Sequence, residues 1–513
     1  MICIIRRIVL TLFQKDGSRL VGIQLVELLK LLFGIRRHVY LDYNATTIAS
    51  SNVRKRMKTV LKKYAGNPSS LHESGKKAAE VIEVARRNLA ETIHADPSEI
   101  IFTGCATESN NTVLKSLFDL YYPEKRRIIS LPIEHPSVIN TMKYLRSKGL
   151  EIMYCPVAAN GRVQLDVLEK MIDDSTFLIC CMLANNEIGT IQDVRKVVEI
   201  ASKRNVRVFS DCVQAFGKIP VDVKSLGMDY ASFSAHKVYG PKGVGALYVK
   251  KGSPVTPLLH GGHQEQGFRA GTEAVHAIAG FGEASRFIDK HAAHYERLQK
   301  LKQILIKEVK RMRPDCVVYS PETECLSNTI SLRFPGIKNE ILLGMLNYYG
   351  IEVSAGSACS SGEDKPSYVL KSIGLSDDEA RETIRVSMGS FTTNKDIRYM
   401  IKVLNSYFKG KALYVNNVSA EELKRKMFSE PGSVVVLDIR PEFQRKKLPG
   451  PKNFTAIHYS EIEKNLHCIP RNKHIVIACE TGKLSFVTAY TLKSKGYTFV
   501  SSLKVGIRGW NNQ

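Results

Sequence analysis

The chain has 513 residues, 44% of them hydrophobic and 24% charged, which is too long for one ordinary core and argues against a wholly disordered, collagen-like or multi-span membrane chain. Lys and Arg outnumber Asp and Glu by 74 to 50, a formal charge of +24, but the basic residues lie scattered in short groups such as Arg54-Lys55-Arg56, a pattern that coats helix surfaces, so direct nucleic-acid binding is not expected. Eleven cysteines without a CxxC pair argue against a disulfide framework or a metal site and for a reducing compartment, taken here as the cytoplasm.

Residues 1–37 stand apart, with seven Lys/Arg and apolar stretches at Ile8–Phe13 and Leu25–Phe33 that are too short to span a membrane. Leu25, Leu28, Leu29 and Leu32 fall on one helical face, so a basic amphipathic extension is expected, with three readings open: an organelle-targeting segment, which would place the protein in a mitochondrial or other matrix, a membrane-surface or partner helix, or a segment packed on the body. From residue 38 to 408 short apolar runs alternate with helical stretches, the signature of a parallel sheet with helices on its faces. Ala78, Val81, Ile82, Ala85 and Leu89 mark one helix, and Arg127–Ser130, Thr176–Leu183, Val206–Ser210 and Tyr230–Ser234 read as strands. A second, small α/β unit is expected over residues 412–513, with strands at Val434–Asp438, Ile475–Cys479 and Thr498–Ser502.

Polar sites gather where these strands end, which is where chemistry collects in sheets of this kind. Lys237, after Ser234-Ala235-His236 and before a glycine-bearing turn, is placed to lose solvation and act as a Schiff-base amine. Asp211 ends another strand, with Gln214 one turn on; a buried carboxylate holds a pyridinium nitrogen protonated so that the ring accepts electrons. Thr103-Gly104-Cys105-Ala106-Thr107-Glu108 opens a helix over Ser109–Leu120, and helix-start N–H groups beside a Thr hydroxyl bind phosphate. Together these describe a pyridoxal 5'-phosphate pocket.

The same residues carry a resemblance to cysteine desulfurases of the class-V aminotransferase family. It runs through Tyr40-Leu41-Asp42-Tyr43-Asn44-Ala45-Thr46-Thr47, Ala106-Thr107-Glu108-Ser109-Asn110-Asn111, Glu134-His135, Asn185-Asn186-Glu187-Ile188-Gly189, Asp211, Gln214, Ser234-Ala235-His236-Lys237, Arg269-Ala270-Gly271-Thr272, Gly356-Ser357-Ala358-Cys359-Ser360-Ser361 and Ile384-Arg385-Val386-Ser387. The resemblance implies an α/β fold, the pyridoxal-phosphate transferase fold type I, with a large mostly parallel sheet domain and a smaller α+β domain. It implies Lys237 on the cofactor aldehyde, Asp211 on the pyridine nitrogen, Gln214 on the ring hydroxyl and His135 over the ring. Phosphate contacts are expected from Ala106, Thr107, Ser234 and His236, with Thr272 donated across a homodimer interface, and substrate carboxylate contacts from Asn185 and Arg385. Cys359 is expected to take sulfur from L-cysteine, leaving L-alanine and a persulfide, as in the longer-loop group tied to iron-sulfur assembly. A selenocysteine lyase or an aminotransferase on the same scaffold is the alternative. One departure is that Gly104-Cys105 stands where the family has Ser-Gly, and Gly104 is expected to restore the turn one position earlier.

Residues 412–513 resemble a single rhodanese domain, through Leu437-Asp438-Ile439-Arg440, Ile477-Ala478-Cys479-Glu480-Thr481-Gly482-Lys483-Leu484 and Gly506-Ile507-Arg508-Gly509-Trp510. A Cys in a loop of inward-aimed N–H groups gains thiolate character and holds a persulfide, so Cys479 is expected to accept sulfur from Cys359, with a docking module as the alternative. Leu484 and Ser485, where a phosphatase needs an arginine, argue against phosphatase chemistry. The final acceptor is expected to be an iron-sulfur scaffold or a tRNA- or cofactor-thiolation enzyme.

Overall fold

The computed structural model describes residues 37–356, 366–410, 415–450 and 453–511. The extension expected over residues 1–37 and the Cys359 position lie outside the described residues, apart from Arg37. The chain divides into two compact units: Tyr40–Leu342 with Val353–Asn405, and Met1–Val39 with Leu343–Glu352 and Ser406–Gln513.

The larger unit is built on seven strands: β1 (Ile100–Thr103), β2 (Arg127–Ser130), β3 (Glu151–Tyr154), β4 (Thr176–Cys180), β5 (Arg207–Asp211), β6 (Tyr230–Ser234) and β7 (Gly245–Val249). Their order in the sheet is β1-β7-β6-β5-β4-β2-β3. All neighbours run parallel except β7, which is antiparallel to both β1 and β6. The central strands are buried at every position of β4 and β6, which is why they read as unbroken runs instead of alternating ones. On one side lies α1 (Glu73–Thr92), whose Ala78, Val81, Ile82, Ala85 and Leu89 are all buried, as their spacing predicts; each large side chain removed from water in this way contributes about 1.5–3 kcal/mol. The strand expected to reach Leu183 stops at Cys180, although Cys181 N–H bonding Phe209 O and Leu183 N–H bonding Asp211 O carry the contact with β5 a little further. A smaller antiparallel sheet of β8 (Val317–Val318), β9 (Thr329–Arg333) and β10 (Thr383–Ser387) has β9 in the middle.

β1 is an edge strand, and its free edge is closed by side chains. Glu265, in the left-handed region at φ +46°, accepts Phe102 N–H at 2.8 Å and a bidentate pair from Arg86, both bonds 2.8 Å. Arg86 in turn donates to Ile100 O at 2.7 Å. Both side chains are buried, so the strand has its edge groups satisfied without a further strand.

The second unit carries a five-stranded sheet of β11 (Asn416–Val418), β12 (Val434–Asp438), β13 (Thr455–Ala456), β14 (His474–Ala478) and β15 (Val500–Leu503). The order is β11-β15-β14-β12-β13, and every pair is parallel. Among the described residues no helix is long and apolar enough to cross a membrane.

Candidate active site

The carboxyl ends of β1, β2, β5 and β6 converge on one cavity of about 170 Å³, lined among others by Ala106, Thr107, His135, Asn186, Asp211, Gln214, Ser234, His236, Lys237 and Arg385. β6 ends at Ser234, and the single turn Ala235–Lys237 that follows brings Lys237 Nζ to Asn44 O at 2.6 Å and Ala45 O at 2.8 Å. β5 ends at Asp211, which accepts Val213 N–H at 3.0 Å and Asn110 Nδ2–H at 3.2 Å. The same Asn110 amide donates to Ser137 Oγ at 2.8 Å, and that hydroxyl sits 2.7 Å from His135 Nδ1. Because Ser137 N–H also donates to Nδ1, at 3.2 Å, the neutral imidazole carries its proton on Nε2. Burial is the main reason that this ring stays neutral, with Lys237 adding to it and Asp211 opposing it.

β1 leads into α2 (Ala106–Tyr121), whose capping position is Cys105 without a side-chain cap, so the first N–H groups of the helix are open to a ligand. The expectation about the departure here is corrected. Cys105 sits at φ −176°, an extended conformation that any residue adopts, and Gly104 is not left-handed. What holds Gly104 is proximity: its N–H donates to Glu108 Oε2 at 2.8 Å, and a Cβ would meet that same oxygen at 2.8 Å. Glu108 is anchored by Arg269, 3.0 Å away.

Asn185 and Asn186 exchange places relative to the sequence expectation. Asn185 is fully buried and its amide is used within the fold: it donates to Ile133 O at 3.0 Å and accepts Glu187 N–H at 2.8 Å and Ile188 N–H at 3.1 Å. The next residue, Asn186, lines the cavity. Arg385, 2% exposed, donates to Asp42 Oδ1 at 2.6 Å and to Asn186 O at 3.0 Å. Thr272 is exposed and does not line the cavity of its own chain.

Lys218 was not singled out by the sequence. It is 8% exposed and donates to Gln214 Oε1 and, at 3.1 Å, to Asn44 Oδ1. Gln214 Nε2–H donates to Asn44 O at 3.0 Å. Burial, then Lys237 and Arg385, push Lys218 well below the usual lysine range. His236 is pushed down to about 4 by burial, then by Lys237, Lys242 and His135.

Three buried polar atoms among the described residues have no hydrogen-bond partner and belong to residues lining this cavity: Asn110 Oδ1, Asn186 Oδ1 and Arg385 Nε. The open helix start, the amine and the unpartnered Arg385 Nε–H as donors, with the buried acid as an acceptor, fit a phosphorylated pyridine aldehyde and a carboxylate substrate.

In the second unit Cys479, 4% exposed, follows β14. Its Sγ accepts Gly482 N–H at 3.2 Å and Ser485 N–H at 3.3 Å. In the same unit the buried Arg440 pairs with Asp438 at 2.7 Å and donates to Leu448 O at 2.7 Å.

Residues 39–400 match the class-V aminotransferase family and residues 419–513 match the rhodanese-like domain family. A cysteine desulfurase IscS of Dictyoglomus turgidum is 42% identical over 371 residues, covering 72% of this chain and 94% of the relative. A solved NifS-like protein superposes with a TM-score of 0.69 at 39% identity, over 73% of this chain and all of that one. A structure described as SspA in complex with cysteine superposes at 0.62 and 34% identity, over 69% of this chain and 100% of its own.

Proposed function

Because the chain belongs to the class-V aminotransferase family and ends in a rhodanese-like domain, we infer that it is a cysteine desulfurase: L-cysteine and an acceptor thiol give L-alanine and a persulfide. The enzyme depends on pyridoxal 5'-phosphate, which supplies a sink for the electron pair left at the substrate Cα. The observation that carries this reading is the meeting of Lys237, Asp211 and Arg385 at one cavity.

In our reading the open N–H groups at Ala106 and Thr107, with Ser234 and His236, hold the phosphate, and Asp211 and Gln214 hold the ring. Arg385 and Asn186 hold the substrate carboxylate, with the unpartnered Arg385 Nε–H as a donor that the fold leaves there. Lys237 Nζ moves the Cα proton, and His135, protonated on Nε2, relays a proton to and from the substrate. The Cys359 thiolate then forms an S–S bond to the substrate sulfur as the Cβ–S bond breaks. The electron pair stays on carbon, where a proton completes L-alanine.

The exposed Thr272 supports a homodimer in which it serves the partner's phosphate site. Cys479, cradled by two N–H donors, is read as the next carrier, passing sulfur to an iron-sulfur scaffold or a thiolation enzyme in a reducing compartment. The test is turnover of sulfur-labelled cysteine followed by mass spectrometry. Persulfide is expected on Cys359 and Cys479, with label lost from Cys479 in Cys359→Ser. Alanine and persulfide made at the parent rate by Cys359→Ala would overturn the assignment, and a keto acid in place of alanine would point to an aminotransferase. Label that never reaches Cys479 would leave the rhodanese-like domain as a docking module.

A further inference from the structure

Lys218 does not line the cavity, and the reaction just described gives it no task. Its side chain is buried, at 8% exposure, and among the described residues it pairs with no carboxylate. The turn that carries it is fixed by Lys218 N–H on Ala215 O at 2.9 Å and by the Tyr295 hydroxyl on Gly217 O at 2.5 Å. The amine donates to two acceptors, Gln214 Oε1 and, at 3.1 Å, Asn44 Oδ1. Two N–H bonds are what a neutral amine offers, and burial beside Lys237 and Arg385 favours that form. An ammonium would bring a third N–H with no acceptor among the described residues. Lys218 therefore acts as a donor and not as a charge.

Both acceptors are locked in one orientation. Asn44 Nδ2–H donates to Thr329 Oγ1 at 2.8 Å and to Asn186 O at 3.1 Å, and Asn44 Oδ1 also accepts Asn328 Nδ2–H at 3.0 Å. For Gln214 both ends agree: Nε2–H meets Asn44 O, which can only accept, at 3.0 Å, and Oε1 meets the Lys218 amine. Turning the amide over would set oxygen against oxygen. Gln214 lines the cavity, and its Nε2 carries a second N–H that the described residues do not use. Asn44 O also accepts Lys237 Nζ, at 2.6 Å, so the amide nitrogen and the catalytic amine stand side by side on one carbonyl.

We propose that Lys218 is a positioning residue: by taking the Gln214 oxygen it makes that amide meet the ring hydroxyl of the cofactor as a hydrogen-bond donor. The inference rests on the reading of Gln214 as the partner of that hydroxyl. In pyridoxal phosphate the hydroxyl is the ring neighbour of the aldehyde, which suits a donor placed beside the Lys237 amine. Donation stabilises the hydroxyl as its anion and so lowers the proton affinity of the nitrogen through which Lys237 holds the cofactor. Without Lys218 a single bond to Asn44 O restrains the amide, and the donor is no longer held on the ring oxygen.

The test is a pH titration of the near-visible absorption band of the loaded full-length enzyme, which reports protonation at the Lys237 nitrogen and not turnover. Cys105, His135, Asp211, His236 and Arg385 also line the cavity and are common to every variant. Lys218→Met is expected to raise the midpoint by about one pH unit, the size of one lost hydrogen bond to a charged group. Gln214→Leu raises it at least as far, and the double variant moves no further than Gln214→Leu alone. Lys218→Ala, with a rise in the same direction, carries the test should Lys218→Met not fold. A midpoint unmoved by the Lys218 variants, or a double variant whose shift is the sum of the two single ones, overturns the proposal. A midpoint unmoved by Gln214→Leu removes instead the reading of Gln214 as the hydroxyl's partner, and a parent enzyme that gains no such band from pyridoxal phosphate removes the cofactor reading itself.

Discussion

Acid should destabilise the cofactor-free enzyme, and His236 gives the size of the effect. Its imidazole is part-buried beside Lys237, Lys242 and His135, and is held down to about 4, chiefly by burial, whereas the unfolded ring titrates near 6.5. A depressed folded value means that the unfolded chain takes up the proton first. The stability is therefore intact above about pH 6.5 and is lost progressively as pH falls toward the folded value. This one ring corresponds to about 2 kcal/mol lost by pH 5. His236→Gln removes the titration and leaves a polar partner for Thr46, now 3.1 Å from Nδ1. Urea unfolding of the apoprotein at pH 7 and pH 5, followed by far-UV circular dichroism, should show the variant losing about 2 kcal/mol less than the parent between the two values. The single tryptophan, Trp510, lies in the other unit, so its fluorescence serves as an internal control that the substitution leaves unmoved. Equal losses in parent and variant would refute the reasoning. Adding pyridoxal phosphate, an anion for the same cluster, should shrink the pH dependence.

The two adjacent asparagines should separate cleanly. Asn186→Ala raises KM for cysteine about tenfold with kcat little changed, whereas Asn185→Ala, which strips hydrogen bonds from Ile133, Glu187 and Ile188, destabilises the fold by about 1–3 kcal/mol; steady-state kinetics and unfolding midpoints read the two effects. Arg440→Met leaves the buried Asp438 carboxylate without its guanidinium and should cost the C-terminal unit about 3–5 kcal/mol, visible as an earlier Trp510 fluorescence transition in urea. An unmoved transition would mean that the pair contributes nothing there.

Much of the site was readable in the chain because each group stands where an apolar run stops. Asp211 and Ser234 each end a buried strand and Lys237 follows one, and strand runs of this kind are visible without a structure. Other features depend on direction, which one letter does not carry. Asn185 and Asn186 are neighbours in a turn, and which amide points inward follows from the turn's own hydrogen bonds. Lys218, preceded by a glycine, reads as an ordinary surface lysine, and only the packing of Gln214 and Asn44 around it shows that it is buried. The helix expected from Ser109 begins at Ala106, since its first turn is polar and lacks the apolar periodicity that marks the rest. Cys105 was noticed as a departure, but its harmlessness rests on a backbone angle.

The closed edge of β1 has a bearing on how the protein is made. The strand leaves the ribosome about 140 residues before β7, its partner, and some 160 before Glu265, which at about 5–20 residues per second is a wait of roughly ten seconds or more. Through that interval an apolar strand has neither neighbour nor plug, while Arg86, already translated, has only its helix neighbour Glu83 to meet. Nascent chains stalled between these points should be held by chaperones or clump, and those released just past Glu265 should not.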